Sequence, residues 1–166
     1  MSTPTLRLAT LDDLPRIVAI YNAAIPTRQS TAELEPVSVD SRRAWFDEHA
    51  PDKHPLWVLE RGGEIMAWIS ASPFHKRAAY HRTAEVSLYV APEAQGQGLG
   101  RPLLDKLVAD CPRLGITTLV ALIFGHNQPS LRFFSRAGFE KWGHLPEVAV
   151  LDDVKRDLVY LGLKVS

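Results

Sequence analysis

Thr83-Ala84-Glu85-Val86-Ser87-Leu88-Tyr89-Val90, followed four residues later by Gln95-Gly96-Gln97-Gly98-Leu99-Gly100-Arg101, is the stretch on which the fold turns. Its first half alternates as a half-buried strand does, with Val86, Leu88 and Val90 facing one way and Glu85, Ser87 and Tyr89 the other. Beyond the glycines, Leu99, Leu103 and Leu107, with Leu104 and Val108, recur at helical spacing. A strand that enters a helix through glycines lets backbone approach a ligand closely, and a helix start adds unpaired N–H groups and a positive dipole end. That combination suits a phosphate or pyrophosphate. A strand-to-helix turn with no ligand would look much the same locally. The spacing excludes two nucleotide classes: no Lys-Ser or Lys-Thr follows the glycines, and positions 96, 98 and 100 do not give G-x-G-x-x-G.

The rest of the chain sets limits around this motif. Its 166 residues are of a length for one domain, 1–166, and with 46% hydrophobic and 23% charged residues the composition is globular. Nineteen Lys and Arg balance nineteen Asp and Glu, so no general cationic field holds a nucleic-acid backbone, and any anion must be bound locally. The single Cys111 forms no internal disulfide, which fits a reducing compartment. Residues 1–16 contain Asp12 and Asp13 and no signal-peptide core, and the longest apolar run, Leu119 to Phe124, is too short to cross a bilayer. A soluble, cytoplasmic protein with no membrane partner is expected.

The expected elements begin with a strand at Leu6–Ala9 and a capping box at Thr10-Leu11-Asp12-Asp13, Thr10 accepting from the N–H three residues on. A helix follows whose stripe, Leu14, Ile17, Val18 and Tyr21, reads as core rather than as a cofactor box. Ile25–Val39 reads as a long connection or short helix lining a site. A second helix runs from a cap at Asp40 or Ser41 to His49, anchored by Trp45 and Phe46. Leu56–Glu60 and Glu64–Ala71 form a hairpin about Arg61-Gly62-Gly63, and Ser72–His81 is a basic, aromatic loop. Pro112 should end or kink the glycine-turn helix. Thr118–Phe124 is a central strand, Pro129–Ala137 a short helix closed by Gly138, and Phe139–His144 and Asp157–Leu163 are the last strands. With no repeat or linker, the fold class is mixed α/β, a central mixed sheet flanked by helices.

Gln95, Gly98 and Gly100 satisfy the Q/R-x-x-G-x-G/A loop of the GNAT superfamily of N-acetyltransferases, which the chain resembles. Agreement extends through Ile20-Tyr21-Asn22, Arg43-x-Trp45-Phe46, Arg77-x-Ala79-Tyr80, Thr83-x-Glu85-x-Ser87-x-Tyr89-Val90, Asn127-x-x-Ser130 and Gly138-Phe139, which look like the phosphinothricin and methionine sulfoximine acetyltransferase branch. The resemblance implies a GNAT fold and acetyl transfer from acetyl-CoA, without a covalent enzyme intermediate, to the primary amine of a small amino-acid-like substrate. It implies no metal and a homodimer with sites near the interface.

It also implies residue roles. The pantetheine arm would run along the edge of Leu88, Tyr89 and Val90, with backbone N–H near Val90 facing the oxyanion. The pyrophosphate would sit on Gln95, Gly96, Gln97, Gly98, Leu99, Gly100 and Arg101, and Asn127 would contact the pantetheine region. Asn127 is equally well placed as a helix cap. Glu85 would be the general base or the group that binds the substrate ammonium; a structural pairing with Arg82 is the plain alternative. Phe74, Arg77 and Tyr80 would surround the acceptor, Arg77 by bidentate hydrogen bonds to its oxygens. His75 and His81 match no zinc spacing.

Two positions depart from the family. Phe134 stands where a Tyr or His would protonate the leaving thiolate, with Ser135 a weak substitute; a thiol leaves readily as thiolate, so transfer does not depend on that group. Val148–Val154 also differs from the tail expected of that branch. Two other functions stay open: acetylation of a protein N-terminus or lysine, and a CoA-binding module without turnover.

Overall fold

The structure, a computed structural model, describes residues 2–165. Seven strands form one mixed sheet in the order β1-β2-β3-β4-β5-β7-β6. They are β1 (Thr5–Leu8), β2 (Leu56–Arg61), β3 (Glu64–Pro73), β4 (Thr83–Val90), β5 (Thr118–Phe124), β6 (Glu140–Leu151) and β7 (Val154–Lys164). The helices are α1 (Leu14–Ala24), α2 (Val39–Asp47), α3 (Gly100–Leu114) and α4 (Gln128–Arg136). All neighbouring strands run antiparallel except β4 and β5. Among the described residues, no helix is long and apolar enough to cross a membrane.

The alternation of β4 places two helix layers. Leu88 lies against the start of α3, and an added Cβ at Gly100 would meet its Cδ2 at 3.2 Å. On the opposite face Trp68, directly across from Tyr89, donates its indole N–H to the Ile17 carbonyl of α1. Buried Leu103, Leu104 and Leu107 of α3 join Val58, Leu59, Ile69 and Leu119 in the core. Burying one such side chain contributes about 2 kcal/mol.

The capping box forms at Thr10–Asp13, and the Asp13 carboxylate accepts from the Thr10 N–H at 2.7 Å. Other local readings need correction. Helix α2 begins one residue before Asp40, capped by Ser38, whose Oγ accepts from Ser41 N–H, and it ends at Asp47 rather than His49. Pro112 does not end α3: it lies in the last turn, where it forgoes one helical N–H donor without stopping the helix, and Gly115 closes the helix at φ +72°. The final hairpin is far longer than the residue pattern implies. Strand β6 passes through Pro146 because it is the edge of the sheet and is bulged between Leu145 and Ala149, where no ladder donor is needed. Its two-residue turn is Asp152-Asp153, both left-handed, an uncommon pair for that geometry.

Candidate active site

Strands β4 and β5 pair only through Thr83, Ala84 and Glu85. From Val86 onward β4 has no strand partner on that side, which leaves a row of backbone polar groups open next to β5. The row leads into the glycine turn, where Gly96 and Gly98 both hold φ +74° and a Cβ on either would meet nothing within 4 Å. The residue before α3 is Leu99, whose side chain is buried and offers no cap, so the first amides of the helix remain unspent. Extended backbone, a left-handed glycine turn and an uncapped helix start together fit a ligand whose long arm leads into a pyrophosphate, as the pantetheine arm of acetyl-CoA does.

The side chains of this loop are mostly occupied elsewhere. Arg101 is paired with Asp105 at 2.8 Å, one helical turn on. Gln97 accepts from Arg61 at 2.6 Å and donates to the Glu93 carbonyl, while Gln95 donates to the Val90 carbonyl at 3.4 Å. Asn127 caps α4 through Ser130 N–H and donates to the Gln29 carbonyl. The positive potential of the turn is therefore mainly that of backbone N–H groups and the helix start.

Glu85 is half-buried on the α1 and α2 face of β4, and burial raises its pKa above the ordinary glutamate value. Its alternative pairing with Arg82 is not made: the Arg82 Nε donates instead toward His81. On the same face, Ser87 and Tyr89 border a cavity of about 160 Å³ lined also by Tyr21, Val37, Arg42, Trp45 and Trp68. Tyr89 stacks on Trp68 with ring centroids 5.0 Å apart, and burial pushes its phenol pKa upward. His49 donates from Nδ1 to the Trp45 carbonyl at 2.8 Å, so the Nε2 of its neutral ring accepts from Ser72 Oγ at 3.4 Å.

The segment between α1 and α2 closes one side of this region, as read from its lack of periodicity. Three successive carbonyls, of Arg28, Gln29 and Ser30, accept from His126, Asn127 and Tyr89 respectively, tying the segment to the β5–α4 loop and to β4. Phe74, Arg77 and Tyr80 lie in the loop before β4; Phe74 and Tyr80 pack edge to face at 5.9 Å, and Arg77 is exposed. None of the three lines the aromatic cavity. Arg42, Trp45 and Trp68 do, although the sequence pattern alone made Trp45 only a helix anchor. Phe134 is buried, edge to face with Phe133 and Phe139, and Ser135 is exposed on α4. Cys111 is buried, its thiol pKa pushed up to about 11, as suits a small core residue. Among the described residues no group of three His, Cys, Asp or Glu gathers as metal ligands do.

Comparison with known proteins bears directly on this arrangement. The model of the acetyltransferase (GNAT) family matches residues 17–139. YwnH of Bacillus subtilis is 45% identical over 163 residues, covering 98% of this chain and 99% of that one. The L-methionine sulfoximine/L-methionine sulfone acetyltransferase of Pseudomonas paraeruginosa is 32% identical over 98% of this chain and 95% of its own. A GNAT superfamily phosphinothricin acetyltransferase from Sinorhizobium meliloti, solved in complex with acetyl-CoA, superposes with a TM-score of 0.92 at 30% identity, covering 98% of this chain and 88% of that one. With an open strand edge, a glycine turn before an uncapped helix, and relatives of this similarity along nearly its whole length, the chain belongs to the GNAT acetyltransferase family.

Proposed function

We propose that the protein transfers the acetyl group of acetyl-CoA directly to the primary amine of a small amino-acid-like acceptor of the phosphinothricin or methionine sulfoximine type. The observation that carries this reading is the break in β4–β5 pairing immediately after Glu85, which sets a half-buried carboxylate beside an open strand edge and the glycine turn. The names of the relatives point to the same acceptor class.

Acetyl-CoA supplies the activated acyl group as a thioester. The backbone of Leu88, Tyr89 and Val90 would hold its arm, and the N–H groups from Gly96 to Arg101 its pyrophosphate. Glu85 takes the ammonium proton, directly or through water, so that the amine nitrogen has a lone pair to attack with. Its raised pKa keeps it a more effective proton acceptor than an ordinary exposed glutamate. Nothing in such a direct transfer requires a metal ion.

One domain, 1–166, carries the reaction in this reading, working in the cytoplasm as a homodimer. The dimer is supported by exposed apolar side chains on the edge hairpin: Trp142, Leu145, Val148, Val150 and Val154. The small volume of the aromatic cavity favours a small acceptor over a protein N-terminus or lysine, which would need a long groove. The test is thiol release from acetyl-CoA over a panel of amines, with wild type and Glu85→Gln compared. Release stimulated by amino-acid analogues and lost in the variant supports the reading. Peptides outrunning amino acids, or cofactor binding without release, overturns it.

A further inference from the structure

Arg42 stands out within the aromatic cavity because its donors are unspent. Its guanidinium lies 4.8 Å from the centre of the Tyr21 ring and 5.9 Å from that of Trp45, so aromatic faces fix its position. Its side chain is 24% exposed, yet no acceptor among the described residues lies within hydrogen-bonding distance of it. The nearest carboxylate, of Glu33, is 3.8 Å away and itself half exposed. A mostly enclosed guanidinium with five donors and one loose counter-charge is a poor structural tie and a good oxyanion receptor, since its planar fork matches a carboxylate in bidentate fashion.

Its place relative to Glu85 fits an amino acid. Ser87 and Tyr89 of β4 border the cavity, and Glu85 is the next residue of the same strand face. Tyr89 lines the cavity together with Arg42 and shares its strand face with Glu85, so the cation and the carboxylate belong to the same side of the sheet. An amino acid carries the complementary pair, an ammonium for Glu85 and a carboxylate for the cation. Arg77, by contrast, is exposed and lies off the cavity.

We infer that Arg42, held against Tyr21 and Trp45, binds the α-carboxylate of the acceptor, and that the incoming carboxylate takes the place of Glu33. The inference rests on the acetyltransferase reading for the identity of its ligand, while the binding site itself does not require turnover. Arg42 is thereby the residue that separates amino acids from simple amines, and Glu33 a competitor that holds the guanidinium before the acceptor arrives.

The probes are methionine sulfone and the same molecule without its carboxylate, 3-(methylsulfonyl)propylamine, measured both by thiol release and by calorimetric binding in the presence of CoA. Arg42→Gln should weaken binding and raise KM for the amino acid by about 10- to 100-fold, the range for losing a charged bidentate pair, and leave the amine within about twofold. Arg42→Lys should recover part of the loss. Glu33→Gln, at an exposed position that does not support the core, should tighten the amino acid several-fold, about what removing a loose ion pair releases. A variant that merely damaged folding would not do that. Equal losses for both probes, no change in either, or amino-acid preference abolished by Arg77→Gln instead of Arg42→Gln would each overturn the inference. If wild type acetylates neither probe yet binds the amino acid through Arg42, the proposed reaction fails and the carboxylate site stands. If wild type binds neither probe, the site falls as well.

Discussion

Ser72 stands directly across from Glu85 on the antiparallel β3–β4 pair, and its hydroxyl is turned toward His49 Nε2 at 3.4 Å. The cross-strand neighbour of the carboxylate is thus a neutral hydroxyl, and among the described residues no cation offsets its burial. His49 adds no charge either, because burial lowers its pKa and favours the neutral ring. The raised pKa of Glu85 follows from desolvation that nothing nearby compensates.

Glu85→Gln should reduce kcat/KM for the acceptor by about 100-fold or more wherever the wild-type carboxylate is ionised, the usual scale for a lost proton acceptor. The acid limb of the wild-type profile should lie above the ordinary glutamate range. Stability moves oppositely. With its folded-state pKa above the unfolded one, Glu85 contributes stability only below the unfolded value and loses it as pH rises through the folded value. The Gln variant should therefore melt higher than wild type at neutral pH and converge with it in acid. Melting curves in which the variant is the less stable at neutral pH would contradict the desolvation argument.

Gly98→Ala tests the glycine turn without disturbing packing, because no atom lies within 4 Å of the added Cβ. The left-handed conformation costs an alanine about 1 kcal/mol, so the fold should survive with a small drop in melting temperature. KM for acetyl-CoA should rise about tenfold, equivalent to about 1.4 kcal/mol of binding. An unchanged KM would remove the turn from the cosubstrate site.

Phe134→Tyr places a hydroxyl where the family's proton donor would stand, but the native ring is enclosed between Phe133 and Phe139. The variant should lose about 1–2 kcal/mol from the unpaired hydroxyl and crowding. No new ionisation should appear on the basic side of the rate profile. A rise in kcat with such an ionisation would mean the leaving thiolate does need a donor.

Away from the site, Arg7 binds Asp13 through two nitrogens, at 2.7 and 2.9 Å, and Glu60 through Nε. Hydrogen bonds from Arg7 hold the Asp13 carboxyl below its usual pKa. Its contribution is present above the unfolded-state pKa and lost as pH falls through the depressed folded value. Asp13→Asn should cost about 1–2 kcal/mol at neutral pH, and the gap should narrow in acid, as chemical denaturation at two pH values would register.

Legibility in the sequence tracked how local each signal was. Strands β4 and β5 fall on the residues expected, Thr83–Val90 and Thr118–Phe124, because alternation and an unbroken apolar run are properties of neighbouring residues. The last hairpin is longer than its sequence suggests because Pro146 argues against a strand and Asp152-Asp153 against a tight turn; the edge position of β6 and two left-handed aspartates reconcile them. The GNAT fold was legible through the glycine loop together with matches in register dispersed from Ile20 to Phe139. Arg42, Trp45 and Trp68 converge only when α2 lies over β3, so no spacing along the chain announces their cavity.

Three residue pairs, Thr83–Thr118, Ala84–Leu119 and Glu85–Val120, are the whole ladder joining β1–β4 to β5–β7. The sheet is in effect two leaves on a short spine, and a bound molecule that bonded to both would act as an extra strand between them. Occupancy should then stiffen the entire protein, with slower amide exchange across both leaves. At a ligand concentration a hundredfold above its Kd, mass action alone adds about 2.7 kcal/mol to the folded state. A catalyst built this way would be most resistant to unfolding when its cosubstrate is plentiful.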